Sequence, residues 1–233
     1  MINQPQIFVI YETGQFGRTV CTVLTKDSEF KGDGHGVNNH KSNYKPPLEN
    51  FHWDHEALAL LEKTHDELKT FFSGIKDTTD YSVHNLASYK YAEIHYEKYF
   101  TRYLKVIMLP KRECLRSFAE RLYEAHPPEH YWYMERIKNL NKVPDYFLKE
   151  MSIKEKYKVL TERFNRFLKI KDNLSEKDTI FFDPLDLFDH AKFQNLVDEC
   201  TIRLGLESIV LPKTQIQMFL DKNKSFFDKH LNS

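Results

Sequence analysis

The chain has 233 residues, with 34 basic and 34 acidic side chains, so its formal net charge is zero and its sequence pI is near 7.2. That balance excludes nucleic-acid binding driven by bulk charge and leaves only a local basic pocket open. Hydrophobic residues make up 41% of the chain, enough for one sizeable domain spanning 1–233, and no apolar run is long enough to cross a membrane.

The first informative stretch is Ile7 to Leu24. Ile7–Tyr11 is a short apolar run, the pattern of a buried strand. A loop with Gly14 and Gly17 follows, then Arg18, Thr19 and an apolar run that can start a helix. Strand, glycine loop and helix together aim backbone N–H groups at an anion, usually a phosphate. The end of the phosphate-loop pattern is matched by Gly17-Arg18-Thr19, with Arg for Lys, but its first glycine would fall at Glu12.

Residues 31–47 form a long polar loop with three glycines and two prolines. His35 and His40 lie in it, and His52 and His55 follow. No cysteine is near and the H-E-x-x-H pattern is absent, so no metal site is expected. Residues 54–72 show helical spacing of Leu58, Leu61, His65, Leu68 and Phe72. A turn over 74–80 precedes the alternating Tyr89–Tyr96, which reads as a second strand with His95 near its carboxyl end. Leu104–Leu109 is nearly all apolar, as a central parallel strand should be. The helix Lys111–Ala125 carries Lys111, Arg112, Arg116 and Ser117 in its first turns, where cations oppose the helix dipole and call for an anion.

His126–Tyr133 is an aromatic-rich break suited to a lid, a pocket wall or core filling. Ser152–Lys171 is an amphipathic helix whose basic face reads as solvated. A further strand, Thr179–Asp183, and a helix, Asp189–Leu204, stopped by Gly205, complete the pattern, with one or two short helices in the tail 215–230. Strands alternating with helices define an α/β class: three layers, with a mostly parallel central sheet and flanking helices. Ligands bind outside the carboxyl ends of such strands. Glu12–Thr19, His95 and Lys111–Ser117 are therefore expected to converge on one cleft. The cysteines Cys21, Cys114 and Cys200 are odd in number and far apart, and Met1–Ile10 lacks a signal-peptide pattern; a reducing, cytoplasmic setting is the expectation.

Three blocks in this order resemble the sulfotransferases that use 3′-phosphoadenosine 5′-phosphosulfate (PAPS). They are Gly14-Gln-Phe-Gly-Arg-Thr19, Val106 to Phe118, and Ile180 to Leu187 followed by Phe193 to Leu206. The resemblance implies a fold like that of the phosphate-loop NTPases, PAPS as cofactor, and a small-molecule or saccharide acceptor. It places Gly14, Gln15, Gly17, Arg18 and Thr19 on the phosphosulfate, and Ser117 with Arg112 or Arg116 on the 3′-phosphate. Gln15 stands where the family has a cation, and Leu109 where it has an arginine, so Arg18 and Arg112 or Arg116 would substitute. It also implies transfer of a sulfuryl group to a hydroxyl or amine. Base candidates are His95, His35, His40 and Glu12, with His95 favoured. Two rivals stand beside it. One is a kinase or nucleotide hydrolase with Thr19 on magnesium and Asp183 as the acidic partner. The other is a non-catalytic binding module.

Overall fold

The structure is a computed structural model that describes residues 3–12, 15–24, 64–68, 81–86, 89–125, 152–211, 213–223, 225–226 and 228. The loop expected over 31–47, the aromatic break 126–133, Gly14 and the side chain of Arg18 lie outside the described residues. Of the helix expected over 54–72, only 65–68 are described as helical.

Four strands form one parallel sheet: β1 (Gln6–Ile10), β2 (Ser82–Leu86), β3 (Tyr103–Met108) and β4 (Thr179–Phe182), in the order β2-β1-β3-β4. The register sets Ile7 beside Val83 and Leu104, and Val106 beside Ile180. Side chains alternate between the two faces, so one strand feeds two cores. Ile7 and Val9 enter the first, with Val83, Val106 and Ile180. Phe8 and Ile10 enter the second, with Leu86 and Ile107. All five residues of β1 are buried, which explains its continuous apolar run between Gln6 and Glu12.

The first face is covered by α1 (Gly17–Leu24) through Val20, Cys21 and Leu24 and by α4 (His190–Leu204) through Phe193, Leu196, Val197 and Cys200. Phe118 and Ala119 of α2 (Leu115–Ala125) and Ile216 and Phe219 of α5 (Lys213–Lys222) join that core. On the second face lies α3 (Ile153–Lys171), which inserts Phe167. Fully burying such a side chain contributes roughly 1.5–3 kcal/mol.

Helix ends follow local chemistry. Ser152 and Glu155 close a capping box at the start of α3. Asp189 caps α4 by accepting from the Ala191 and Lys192 N–H groups. Gly205 ends α4 in the left-handed region at φ 56°, the conformation that makes glycine the favoured stop there.

One expectation is corrected. Tyr89–Tyr96 is not a strand but two 3₁₀ turns, Tyr89–Glu93 and Tyr96–Lys98. The segment must carry the chain from the end of β2 back to the start of β3, across the second face of β1. It covers that face with rings: Tyr96 stacks on Phe8 with centroids 3.8 Å apart, and Tyr89 on Phe167 at 4.7 Å. The true strand is Ser-Val-His-Asn-Leu, residues 82–86, with only Val83 and Leu86 apolar. His84 there is fully buried, stacks on Phe8, and its Nε2 lies 2.6 Å from Gln6 Oε1. Burial lowers its pKa to about 3.

Candidate functional site at the carboxyl edge of the sheet

From β1 the chain crosses to β2 on one side, while β3 leads to β4 on the other. The crevice outside the carboxyl ends of β1 and β3 is thus the switch point where ligands bind in such sheets. Glu12 follows β1 and is 1% exposed. Its Oε2 accepts from Arg163 Nη1 at 2.9 Å, and its Oε1 accepts from the Tyr89 N–H at 3.1 Å. A buried carboxylate needs this compensation, because desolvating an unpaired charge costs several kcal/mol. Gln15 closes the turn: its Oε1 accepts from the Glu12 N–H at 3.0 Å, while its own N–H donates to Glu12 O at 3.1 Å. The Tyr89 hydroxyl donates to Met108 O at 2.8 Å, with Gln15 Oε1 at 3.0 Å. Burial holds that phenol well above its ordinary pKa, and the Glu12 charge adds to the effect. Tyr89 therefore serves as a neutral clamp joining the ends of β1 and β3.

Gly17 has a packing reason. A Cβ there would lie 2.0 Å from Cδ1 of Tyr11, whose ring occupies the space beside the backbone. Phe16, just before it, sits at φ 61°, a conformation that costs a non-glycine residue about 1–3 kcal/mol. Its ring is surrounded edge-on by Phe188, Phe219 and Phe226 at centroid distances of 5.4–5.6 Å, with the Arg121 guanidinium 3.9 Å over it. Among the described residues, Gln15 Nε2 and Thr19 Oγ1 are buried polar atoms with no hydrogen-bond partner. Both can donate, which suits an acceptor-only group such as a phosphate or sulfate. The cradle beside Gly17 does not suit one, since Tyr11 fills it.

The loop after β3 lies next to the loop after β1, with the Phe16 and Phe118 rings 6.3 Å apart. Of the two segments expected to meet, 14–19 and 112–117, the described contact is that of Phe16 with Phe118, one residue past the second. Ser117 is buried, but both arginines are exposed. Arg112 donates to Asn165 on α3, and Arg116 pairs with Glu120 at 3.4 Å. Asp183, at the end of β4, caps Leu185 N–H at 3.0 Å, and burial raises its pKa. Among the described residues no group of histidine, cysteine and acidic side chains could hold a metal ion.

His95 lies elsewhere. It sits between the two 3₁₀ turns, with its side chain 68% exposed, and its Nδ1 is 2.8 Å from Glu97. Glu97 in turn acts on Lys105 and Tyr103, near the start of β3, so His95 lies on the return path rather than at a strand's carboxyl end.

Beside Glu12 opens a cleft of about 160 Å³ between α3 and the first 3₁₀ turn. Val159, Glu162, Arg163, Arg166, Phe167 and Ile170 recur at three- and four-residue spacing, so they form one stripe of α3. Tyr89, Lys90 and Glu93 come from the 3₁₀ turn. Sequence reasoning missed this pair of walls. It treated the basic side of α3 as solvated, and nothing local marks Arg163 as the partner of Glu12, 151 residues away.

Fold and site together define an α/β protein with a parallel four-stranded sheet whose β1 ends at the buried polar residues Glu12 and Gln15. Searches of protein-family models, of curated proteins and of solved structures found no match for this chain. Among the described residues, no helix is long and apolar enough to cross a membrane.

Proposed function

We propose that this protein binds a phosphorylated or sulfated nucleotide outside the carboxyl ends of β1 and β3. The observation that carries the reading is the switch-point crevice, where the loops after β1 and β3 are neighbours. Gln15 Nε2 and Thr19 Oγ1 supply donors with no protein partner at the start of α1. Both lie beneath the surface. At the level of activity, the proposal is transfer of a sulfuryl group from PAPS to a hydroxyl or amine, resting on the resemblance of the three sequence blocks. PAPS would supply the activated sulfuryl group. Ser117 and Arg112 or Arg116 would hold the 3′-phosphate end, and Glu12 keeps Arg163 oriented at the crevice.

A second reading, a binding module without catalysis, is favoured by a specific observation. Tyr11 fills the space beside Gly17, and His95 lies away from the crevice. Thermal-shift measurements with adenosine 3′,5′-bisphosphate, with ATP plus magnesium and with adenosine test the nucleotide proposal. Stabilisation by the bisphosphate alone is expected; a larger shift with ATP plus magnesium favours the kinase or hydrolase reading. No shift with any of them overturns nucleotide binding. Radiolabelled sulfate transfer from PAPS to hydroxyl and amine acceptors then separates an enzyme from a binding module.

A further inference from the structure

Phe16 holds the turn between β1 and α1 in a conformation that its residue type disfavours. Its φ is 61°, in a region that non-glycine residues keep only where their surroundings compel it. Such outliers gather at ligand clamps and switch regions. The same turn carries the donors without a protein partner: Gln15 stands just before Phe16, and Thr19 follows in the first turn of α1. The Thr19 N–H donates to Phe16 O at 2.9 Å, so the backbone at Phe16 fixes how α1 begins.

A socket of rings compels it. Phe188 and Phe219 stand edge-on to Phe16 at 5.5 and 5.4 Å, the favoured geometry for aromatic pairs. Both are buried in the core and stack on each other at 5.4 Å. The third wall differs. Phe226 lies 5.6 Å from Phe16 and 5.4 Å from Phe118, yet it is only half-buried and follows the end of α5 at Lys222. Arg121 of α2 adds a second tie to that segment. Its guanidinium lies 3.9 Å over the Phe16 ring, and its Nη2 donates to Asn223 Oδ1 at 3.4 Å.

A half-exposed ring past a helix end can leave at low cost, whereas Phe188 and Phe219 cannot leave without opening the core. Its departure removes one wall of the socket and lets Phe16 relax toward an ordinary φ. We propose that the segment after α5 is a latch on the β1–α1 turn: Phe226, with Asn223 tied to Arg121, keeps Phe16 strained and the Gln15 and Thr19 donors buried, and its release frees the turn to present them to a ligand. The latch stands on the ring contacts alone; its control of ligand access rests on the proposed nucleotide site. Plain core packing makes a different prediction: loss of the Phe226 ring would loosen the whole first-face core evenly.

The test is amide hydrogen exchange of the full chain, read by NMR without ligand. In the wild type, the Thr19 amide, bonded to Phe16 O, and the Asn223 amide, bonded to Phe219 O and Leu220 O, should open together. Their protection should agree within about threefold and lie well below that of Val9 and Ile107 in the sheet. Phe226→Ala should speed exchange at Gln15 and Thr19 at least about tenfold and leave Val9 and Ile107 within about threefold. Leu206→Ala removes another partly buried side chain packed against the same core and should leave Gln15 and Thr19 unchanged. Independent opening of Thr19 and Asn223 in the wild type, or a rise in Phe226→Ala shared equally by β1 and β3, would overturn the latch. Calorimetric titration with adenosine 3′,5′-bisphosphate then tests its control of the site. Phe226→Ala should bind at least about threefold tighter, because more of the protein is in the competent form. Equal or weaker affinity beside faster Thr19 exchange would overturn that control. Binding by neither protein would overturn the nucleotide site and the control with it, while faster Thr19 exchange would still support the latch.

Discussion

Gly17→Ala separates a packing glycine from a ligand-binding one. The added Cβ would stand 2.0 Å from Tyr11 Cδ1 and 2.5 Å from Cε1, against contacts that normally stay beyond 3.0 Å. Tyr11 is 4% exposed and belongs to the first-face core, so its ring cannot swing away without losing burial. Overpacking of this kind costs about 1–3 kcal/mol, and partial expulsion of the ring adds roughly 1.5–3 kcal/mol. Alanine's higher helix propensity returns about 1 kcal/mol at most. The expected loss is about 2–5 kcal/mol, measured by urea unfolding followed by circular dichroism. Tyr11→Ala removes the obstruction, so the double variant should lose less than the sum of the singles, by about 1–3 kcal/mol. A Gly17→Ala protein as stable as wild type, or strict additivity with Tyr11→Ala, refutes the packing explanation. It would return Gly17 to a role in close backbone approach to a ligand.

Three further outcomes are expected. Arg163→Ala leaves the buried Glu12 carboxylate without its ion-pair partner and should cost about 2–4 kcal/mol; Glu12→Gln in the same chain should recover part of it, again by urea unfolding. His84 has its pKa lowered from 6.5 to about 3, so the unfolded chain takes up its proton first. Stability is complete above pH 6.5 and falls as the pH drops toward 3, at up to about 1.4 kcal/mol per pH unit from this residue; His84→Gln should flatten the pH 5–6.5 part of the curve. Cys200 is fully buried, with its thiol pKa pushed up by desolvation, and Cys21 is 1% exposed. A thiol reagent should label both only at the rate of unfolding, and rapid labelling of the native protein would contradict the described core.

The sheet's strands were unequally readable. Ile7–Tyr11 and Leu104–Leu109 announce themselves because strands buried on both faces are nearly all apolar, Lys105 being the exception, and both lie in the sheet's centre. β2 stands beside β1 at one side of the described sheet and carries His84, whose partner Gln6 is remote in sequence; its polar letters therefore concealed it. Tyr89–Tyr96 showed the opposite failure. Its alternating aromatics imitate a strand, yet they are buried because the segment lies over Phe8 and Phe167. Helix boundaries were clearer, since Ser152, Asp189 and Gly205 act through their nearest neighbours. At the crevice, the loops after β1 and β3 could be placed from strand order, whereas the Glu12–Arg163 pair required the fold to bring α3 over the end of β1.

Chemical-shift mapping of the isotope-labelled protein during titration with adenosine 3′,5′-bisphosphate tests the crevice most directly. Saturable shifts concentrated at Glu12, Gln15–Thr19 and Leu109–Ser117, with little change around His95–Lys98, are the expected result. Shifts confined to other surfaces, or none at millimolar nucleotide, would contradict a nucleotide site at the carboxyl ends of β1 and β3.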